Sequence, residues 1–445
     1  MEELIGRELL LEELKNSPTS LTAAEKRPGF TINDQAITCN RCGSNQKKHR
    51  ARTACTCGEN CFYCTNCLQM GKVKSCSTLY HLPETNQFPM MPEPILTWTG
   101  TLSKQQQAAS DDIVATIERK ETRLIWAVTG AGKTEMLFQG IALALQQKKR
   151  LCIASPRVDV CLELGPRLQK AFASVRLAVL HGAMEEDYRY TQLVIATTHQ
   201  LLRFKEAFDV LIIDEVDAFP FYLDQTLQFA ANKAKKKTAA LIYLSATPNK
   251  QLQAAVAKKR LLATILPARY HGFILPVPVL RWIGNWQEMI QKKQKGQLYR
   301  LICQLLSNKR RFLLFVPNIH LMQQLEVCLQ EWLPDLSFAS VFAADEKRRE
   351  KVQAMRDEKL DCLLTTTILE RGVTFRDIDV LVLGAEDRTF TEAALVQIAG
   401  RAGRHKDYPE GLVLYLHHGR TKEMIHARQQ ILSMNRLAKK RGLIK

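Results

Sequence analysis

The chain has 445 residues and a formal net charge of +18, so it is too long for one ordinary domain and strongly basic. Its hydrophobic content of 46% excludes a largely disordered chain. No run of 18 apolar residues occurs, which argues against a membrane-spanning helix. The positive charge favours a polyanionic partner, but a nucleic acid and an anionic membrane surface satisfy it equally.

The first 35 residues are predicted to form a short amphipathic helix and a polar linker. The leucines Leu4, Leu9, Leu10 and Leu14 have helical spacing, so we expect this helix to dock on the body of the protein or on a partner. The beginning of the chain is acidic and amphipathic, unlike a secretory signal. The protein is therefore expected in the cytoplasm.

Eight of the 13 cysteines lie between Cys39 and Cys76. In a reducing cytoplasm such a cluster favours a metal over disulfides. Two Cys-x2-Cys pairs are predicted to close one tetrahedral zinc site with the ligands Cys39, Cys42, Cys64 and Cys67. The other four cysteines leave a second, less regular site open, and Cys61-x2-Cys64 is an alternative pair; these four are Cys55, Cys57, Cys61 and Cys76. The five cysteines outside the cluster lie in apolar stretches and are predicted core residues.

The segment AVTGAGKT at Ala127–Thr134 predicts a phosphate-binding loop, because it follows an apolar strand (123–128) and precedes a helical pattern (135–146). Glycines without a Cβ let backbone N–H groups approach phosphate oxygens. Lys133 is predicted to reach the β- and γ-phosphates of ATP, and Thr134 to ligate Mg2+. The predicted nucleotide-binding residues here are Thr129, Gly130, Ala131, Gly132, Lys133 and Thr134.

The segment DEVD at Asp214–Asp217 predicts the carboxylates of ATP hydrolysis. It follows the apolar strand 209–213, and doubly wound sheets place ligands at the carboxyl ends of their strands. Asp214 is predicted to hold Mg2+ together with Thr134. Glu215 is predicted to orient and polarise the attacking water.

The segment QIAGRAGR at Gln397–Arg404 predicts a third part of the catalytic site. Arg401 and Arg404 are three residues apart, so on a helix they would share one face. A guanidinium aimed at the γ-phosphate stabilises the charge of the transition state. We therefore expect Gln397, Arg401 and Arg404 to join Lys133 and the two carboxylates in catalysis.

Short apolar strands alternate with helical segments along most of the chain, which predicts an α/β fold with two parallel-sheet lobes. A small cysteine-rich zinc module precedes them, and a proline-rich boundary at 83–94 predicts that this module is separate from the motor. The predicted parts are an N-terminal helix and linker (1–35), the zinc module (36–80), an ATP-binding lobe (95–263), a second lobe (286–416) and a basic C-terminal helix (417–445), with a hinge region at 264–290.

Residues 95–415 resemble superfamily 2 helicases and translocases. Besides the three segments above, five others follow the order of that superfamily: Thr101–Gln106, Ser155–Arg157, Thr197–His199, Ser245–Thr247 and Thr365–Thr374. The resemblance implies two RecA-like lobes with ATP bound between them. It also implies that Gln106 contacts the adenine ring.

Two longer segments resemble the ComFA family, which is associated with DNA uptake in naturally competent Gram-positive bacteria: FYCTNCLQMGKV (62–73) and TFTEAALVQIAGRAGR (389–404). The resemblance implies a DNA-stimulated ATPase that hydrolyses ATP to ADP and phosphate with Mg2+. Such an enzyme would drive single-stranded DNA through an uptake channel from the inner face of the membrane, with a ComFC-like phosphoribosyltransferase-like partner. A homo-oligomer, the polarity of movement and duplex unwinding stay open.

Three alternatives remain at this stage. A PriA-like replication-restart helicase would carry its zinc module within the motor, whereas here the module precedes it. An RNA helicase is disfavoured by DEVD in place of DEAD. A zinc-dependent DNA-binding scaffold with an inactive motor is disfavoured by the intact Lys133, Asp214, Glu215 and Arg404.

Overall fold

The computed structural model describes residues 2–14, 21–58, 60–182, 188–371 and 373–444. The chain divides into two compact units, residues 1–126 with 133–265 and residues 127–132 with 266–445. None of the described helices is both long enough and apolar enough to cross a membrane.

The N-terminal part of the first unit consists of short antiparallel strands. Strand β7 lies between β1 and β2 in a three-stranded sheet, β3 pairs with β4, and β5 pairs with β6. The strands are β1 (Glu8–Leu10), β2 (Glu25–Pro28), β3 (Phe30–Ile32), β4 (Ile37–Cys39), β5 (Arg50–Arg52), β6 (Phe62–Cys64) and β7 (Thr78–His81). Short 3-10 turns lie at Glu2–Leu4, Leu11–Glu13, Lys47–His49 and Thr65–Met70.

The amphipathic helix predicted for the N-terminal segment is wrong for the described residues 2–14. They form β1 between two 3-10 turns, because pairing with β7 supplies backbone hydrogen bonds that override helical propensity. The docking expected from the leucines is confirmed, since all four are buried: Leu4, Leu9, Leu10 and Leu14. Residues 15–20 lie outside the described residues. The polar linker predicted up to residue 35 is wrong for residues 21–35, because β2 and β3 form there.

The proline-rich stretch 83–94 packs against the first parallel sheet and does not act as a spacer. The Glu84 carboxylate lies 2.7 Å from the Arg150 guanidinium, and both side chains are fully buried. The Phe88 ring stacks on Tyr190 with centroids 4.9 Å apart. Asn86 donates a hydrogen bond to the Asp209 carboxylate at 2.9 Å. The predicted separation of the cysteine module from the motor is therefore wrong.

The remainder of the first unit is a seven-stranded sheet in the order β10-β11-β9-β12-β13-β8-β14, and its neighbours from β10 to β8 run parallel. Its strands are β8 (Thr122–Ala127), β9 (Leu151–Ser155), β10 (Leu177–Leu180), β11 (Leu193–Thr197), β12 (Phe208–Ile213), β13 (Lys235–Ser245) and β14 (Leu262–Leu266). Its helices are α1 (Lys104–Arg119), α2 (Phe138–Gln146), α3 (Val158–Ala171), α4 (Gln225–Ala234) and α5 (Lys250–Ala257), with 3-10 turns at Glu135–Leu137 and Thr198–Arg203.

The second unit contains a six-stranded parallel sheet in the order β15-β20-β19-β16-β18-β17. Its strands are β15 (Val279–Trp282), β16 (Arg311–Phe315), β17 (Phe338–Val341), β18 (Cys362–Thr365), β19 (Ile378–Leu383) and β20 (Val413–His417). Its helices are α6 (Trp286–Gln291), α7 (Gln297–Ser307), α8 (Ile319–Trp332), α9 (Arg348–Arg356), α10 (Glu392–Ala399) and α11 (Lys422–Lys440), with a 3-10 turn at Thr367–Glu370.

Local sequence accounts for several element boundaries in this unit. Four helices begin after a residue whose side-chain oxygen accepts a backbone N–H from the first turn, and these caps are Asn285, Asn318, Thr391 and Thr421. The strand β15 lies in the segment that the sequence assigned to the hinge. It forms the edge of the sheet by pairing with β20, a contact that its short proline-flanked sequence does not reveal.

Candidate nucleotide-binding and metal sites

The phosphate-binding loop lies between β8 and the turn that leads into α2. Gly130 and Gly132 have φ angles of +80° and +74°, a backbone conformation that side chains with a Cβ rarely adopt. Thr134 has helical dihedrals, and the 3-10 turn Glu135–Leu137 follows it directly. Thr129, Ala131 and Thr134 are buried, whereas Lys133 is half-buried. The loop therefore has the strand–glycine turn–helix form of a phosphate cradle.

The two predicted catalytic carboxylates lie at the carboxyl end of β12. The backbone N–H of Asp214 donates to the Ala154 carbonyl of β9 at 2.8 Å, which fixes the end of the strand. The Asp214 carboxylate accepts the Glu215 N–H at 2.8 Å. Glu215 has a φ of +54°, a strained conformation for a residue with a side chain. The Arg157 guanidinium lies 3.9 Å from the Glu215 carboxylate. A carboxylate and the Thr134 hydroxyl are ligand types that Mg2+ prefers.

A buried hydrogen-bond network joins the DEVD segment to the end of β13. The Asp217 carboxylate accepts hydrogen bonds from the Ser245 and Thr247 hydroxyls, both at 2.6 Å. The Ser245 hydroxyl in turn accepts the Thr247 N–H at 2.9 Å. All three residues are buried. Both segments are recognisable in the sequence, but nothing in the sequence pairs Asp217 with the end of β13.

The two arginines of the QIAGRAGR segment do not share a helix face, so that prediction is wrong. Helix α10 ends at Ala399, and both arginines lie beyond it, because the chain turns at Gly400 and reaches a φ of +61° at Gly403. Gln397 remains within the last turn of the helix and is buried.

Their guanidinium groups converge on Glu370, Val373 and Thr374. Buried Arg401 donates to the Glu370 carbonyl at 2.6 and 3.0 Å and also to the Val373 carbonyl. Arg404 donates to Val373 O and to the Thr374 hydroxyl, both at 3.0 Å. Arg401 thus has a clear structural role in joining two helicase-like segments. Gly372, which belongs to the predicted segment 365–374, lies outside the described residues.

Arg269 is a functional candidate that sequence reasoning missed. Its buried guanidinium donates to the carbonyls of Gly400 at 3.3 Å, Ala402 at 2.8 Å and Gly403. Burial, with a smaller contribution from the charge of Arg404, lowers the pKa of Arg269 to about 9. The Arg269 side chain thus holds the turn at residues 400–404, which carries Arg401 and Arg404. No motif marks it, because its partners are backbone carbonyls more than a hundred residues away.

Gln106, predicted to contact adenine, takes part in the N-terminal cap of α1. Its side-chain oxygen accepts the Ser103 N–H at 2.9 Å, while Ser103 accepts the Gln106 N–H. Gln106 is buried. The cap fixes the Gln106 backbone and its side-chain oxygen at the start of α1.

The structure brings the four predicted zinc ligands together. Their sulfur atoms all lie within 4.8 Å of one another, and Cys39–Cys67 and Cys42–Cys64 are each 3.6 Å apart. All four are buried in the same apolar cluster as Phe204, Phe208 and other residues of the first unit. Zinc binds the thiolate form of cysteine, and four cysteine sulfurs at this spacing supply the ligand set of a structural zinc site. These residues fit a tetrahedral zinc ion.

The other cysteines of the segment also cluster. The sulfur atoms of Cys55, Cys57, Cys61 and Cys76 lie within 4.8 Å of one another. By contrast, the five scattered cysteines fit the core prediction in part: four are buried and Cys303 is half-buried. Burial raises the pKa of Cys161 to about 12, which makes this thiol inert.

A charge network connects the first zinc-ligand pair to the body of the unit. Fully buried Arg41, between Cys39 and Cys42, contacts the Glu13 carboxylate and donates to the Met70 carbonyl at 2.7 Å. The same carboxylate accepts Arg203 Nε at 3.1 Å. Arg203 ends the turn that begins at Thr198. This network escaped the sequence analysis, because its charges are dispersed along the chain.

The fold defines the class of protein. A solved structure titled DEAD-box helicase Mss116 bound to ssRNA and UDP-BeF matches with a TM-score of 0.55 and 16% identity, covering 77% of this chain and 83% of that chain. The family models "Type III restriction enzyme, res subunit" and "Helicase conserved C-terminal domain" match residues 99–250 and 297–406. The chain therefore has the two-lobed fold of superfamily 2 helicases and is an enzyme of the ATPase/helicase type.

Closer relatives give the family. The model "Competence protein ComFA N-terminal domain" matches residues 1–81. Competence protein ComFA of Bacillus subtilis (strain 168) is 47% identical over 412 residues, which cover 92% of this chain and 88% of that protein. Competence protein ComFA of Streptococcus pneumoniae (strain ATCC BAA-255 / R6) is 38% identical and covers 98% of both chains. The chain belongs to the ComFA family.

Proposed function

We propose that this chain is a single-stranded-DNA-stimulated, Mg2+-dependent ATPase that drives the uptake of transforming DNA. The observation that carries the proposal is the pair of adjacent carboxylates, Asp214 and Glu215, at the end of β12 in a chain that also has the glycine loop 127–134. The word "competence" in the names of both close relatives supports a role in transformation.

In the proposed reaction, water attacks the γ-phosphorus of ATP and ADP leaves with the electrons of the broken P–O bond. Lys133 would bind the β- and γ-phosphates, and Thr134 and Asp214 would hold Mg2+, which would neutralise charge on the phosphate oxygens. Glu215 orients the attacking water and accepts its proton. Its strained backbone is stabilised by the fixed end of β12.

The turn at residues 400–404, the arginine turn, has two roles in the proposed reaction. Arg404 is the guanidinium that stabilises charge on the γ-phosphate, because it is half-buried, whereas the buried Arg401 donates to two backbone carbonyls and holds the turn in position. Arg401, which the sequence placed at the phosphate, therefore positions the turn together with Arg269. The adenine contact of Gln106 remains part of the proposal.

Single-stranded DNA is the proposed track. The net charge of +18 supports binding to a phosphate backbone. By family resemblance, the enzyme would work at the cytoplasmic face of the membrane, with a ComFC-like partner and the uptake channel.

ATP turnover with different nucleic acids tests the proposal. Single-stranded DNA should stimulate turnover more than duplex DNA or structured RNA does. Log affinity should fall with log salt concentration with a slope of about −0.7 for each phosphate neutralised. Equal stimulation by RNA would favour an RNA helicase, and a complete lack of turnover would favour a DNA-binding scaffold.

Two variants test the division of roles. Lys133→Ala should abolish most turnover without lowering the melting temperature, whereas Lys422→Ala, an exposed lysine at the start of α11, should behave as wild type. Glu215→Gln should bind ATP and hydrolyse it slowly, with Glu118→Gln on the exposed face of α1 as its control. Loss of nucleotide binding in Glu215→Gln would refute its assignment to the water.

A further inference from the structure

The four cysteines of segment 39–76 that lie outside the predicted zinc site form a second compact group. Cys55 Sγ lies 3.7 Å from Cys76 Sγ, which lies 3.8 Å from Cys61 Sγ. Cys57 completes the group, with all four sulfurs within 4.8 Å of one another. Four sulfurs at ~2.3 Å from a tetrahedral zinc ion lie about 3.8 Å apart. The observed spacing fits four thiolates around one ion, and it is far longer than the ~2.05 Å of a disulfide bond.

Backbone contacts bring three separated pieces of chain to this point. Thr53 N–H donates to the Cys61 carbonyl at 3.0 Å, which closes the loop that carries Cys55 and Cys57. Within that loop, Gly58 N–H donates to the Cys55 carbonyl at 3.2 Å. Ser75, next to Cys76, donates from its N–H to the Phe62 carbonyl at 2.7 Å. The arrangement is thus a defined fold of the loop and not a chance approach of mobile side chains.

Hydrophobic burial does not explain why these thiols cluster. Cys57 and Cys76 are exposed and Cys55 is half-buried, so only Cys61 belongs to the core. The first group is different, because its four thiols are buried among apolar residues. A thiol that packs as a small apolar side chain is expected inside the protein. Exposed thiols held in contact instead require a ligand that binds sulfur.

We propose that Cys55, Cys57, Cys61 and Cys76 bind a second zinc ion, independent of the ion held by the first four cysteines. The two sets share no ligand. Four soft thiolate donors in a tetrahedral arrangement select zinc over Mg2+ or Ca2+, which take oxygen ligands. The ion displaces the thiol protons, which go to solvent, and no oxidation is involved.

The ion would fix a strongly basic hairpin. Strands β5 and β6 pair beside the site, and Lys72 lies over the Tyr63 ring at 4.3 Å and donates to the Thr53 hydroxyl at 2.9 Å. Between residues 43 and 82 there are six lysines and arginines against one acidic residue, Glu59. Mutual repulsion would open such a hairpin, and an anionic four-thiolate zinc centre offsets it. The second ion is therefore structural.

Zinc content of the purified full-length protein tests this proposal directly. Elemental analysis and native mass spectrometry should find two zinc ions per chain. The double variant Cys55→Ser/Cys57→Ser, at positions that are not buried, should hold one. The control Cys303→Ser, which changes a half-buried cysteine of the second unit, should still hold two. Hydrogen exchange in the double variant should rise within residues 50–76 and stay unchanged in α11.

Three results would overturn the second site. They are one zinc ion in the wild type, two zinc ions in the double variant, or no zinc ion in the double variant. Loss of both ions would mean that the eight thiols form one cooperative cluster. Thiol titration of the denatured, unreduced protein supplies an independent measurement. All 13 cysteines should react once the metal is chelated, and two fewer would indicate a disulfide in place of the metal.

Discussion

Removing the Glu13 carboxylate should destabilise the first unit and loosen the first zinc site. Glu13 contacts Arg41, whose side chain is fully buried, and its own side chain is only 11% exposed. Little solvent is present to screen the pair, so the loss of one partner leaves a buried guanidinium without its counterion. Such a loss costs about 3–5 kcal/mol. Against a typical domain stability of about 5–15 kcal/mol, this change is large.

The loss of the Glu13 carboxylate should also affect the zinc ligands, because Arg41 lies between two of them. It sits between Cys39 and Cys42 and donates to Met70 O, at the end of the turn that contains Cys67. Glu13→Ala should therefore lower the free energy of unfolding by about 3–5 kcal/mol and accelerate zinc release to a chelator. Urea unfolding and chelator-coupled absorbance measure the two effects.

A neighbouring residue supplies the control. Glu12 lies in the same 3-10 turn and is exposed, so Glu12→Ala should change unfolding by less than about 0.5 kcal/mol. The double variant Glu13→Leu/Arg41→Met should regain much of the lost stability, because an apolar pair removes the buried charge. If Glu13→Ala and Glu12→Ala unfold alike and release zinc at the same rate, the network does not stabilise the module.

Three further predictions concern the same two units. Thr247→Val should cost about 1–3 kcal/mol by depriving the buried Asp217 carboxylate of a donor. Thr238→Val, at an exposed position of β13, should be near neutral in thermal melting. Arg269→Lys should lower kcat roughly ten-fold, or ~1.4 kcal/mol of transition-state stabilisation, by loosening the arginine turn; an unchanged kcat in a folded variant would exclude this positioning role. Burial raises the pKa of Glu8, but the charge and hydrogen bond of Lys233 outweigh it and leave the pKa below its ordinary value of 4.5. The Glu8 carboxylate therefore stabilises the fold above that value, and this stabilisation is lost as the carboxylate is protonated on acidification. The difference in free energy of unfolding between wild type and Glu8→Gln, measured in urea, should shrink below pH ~4.5. A difference that stays constant with pH would contradict this coupling.

The sequence predicts features that depend on neighbours along the chain. The apolar strand before Asp214, the glycine turn before Lys133 and the alternation of strands and helices are local patterns, and the structure has each of them where the sequence indicates. The spacing of the two Cys-x2-Cys pairs likewise brings four thiols together. These patterns suffice because the backbone geometry of a strand end or a tight turn is encoded within a few residues.

Features that depend on distant partners could not be predicted in the same way. The leucines near the N-terminus have helical spacing, yet β7 supplies a strand partner from about 70 residues away. Arg401 and Arg404 continue a helical pattern, yet the chain turns at Gly400, where Arg269 binds the released carbonyls. In both cases a tertiary hydrogen bond outweighs local propensity, which differs by only about 1 kcal/mol between residue types.

The cysteine module shares a core with the first parallel-sheet region, so loss of zinc should affect more than the module itself. A module on a flexible linker could lose its metal and leave the ATPase intact. Here, the four buried thiols share a core with Phe204 and Phe208, and Glu13 links the zinc-ligand turn to Arg203, at the end of the segment that begins with Thr198. If the single-stranded DNA track includes that segment, the position of the zinc site is fixed relative to the track. Loss of the first zinc should then lower DNA stimulation and stability together, and basal ATPase should fall with them. A Cys39→Ser protein that keeps wild-type basal turnover and wild-type melting would show that the module is independent after all.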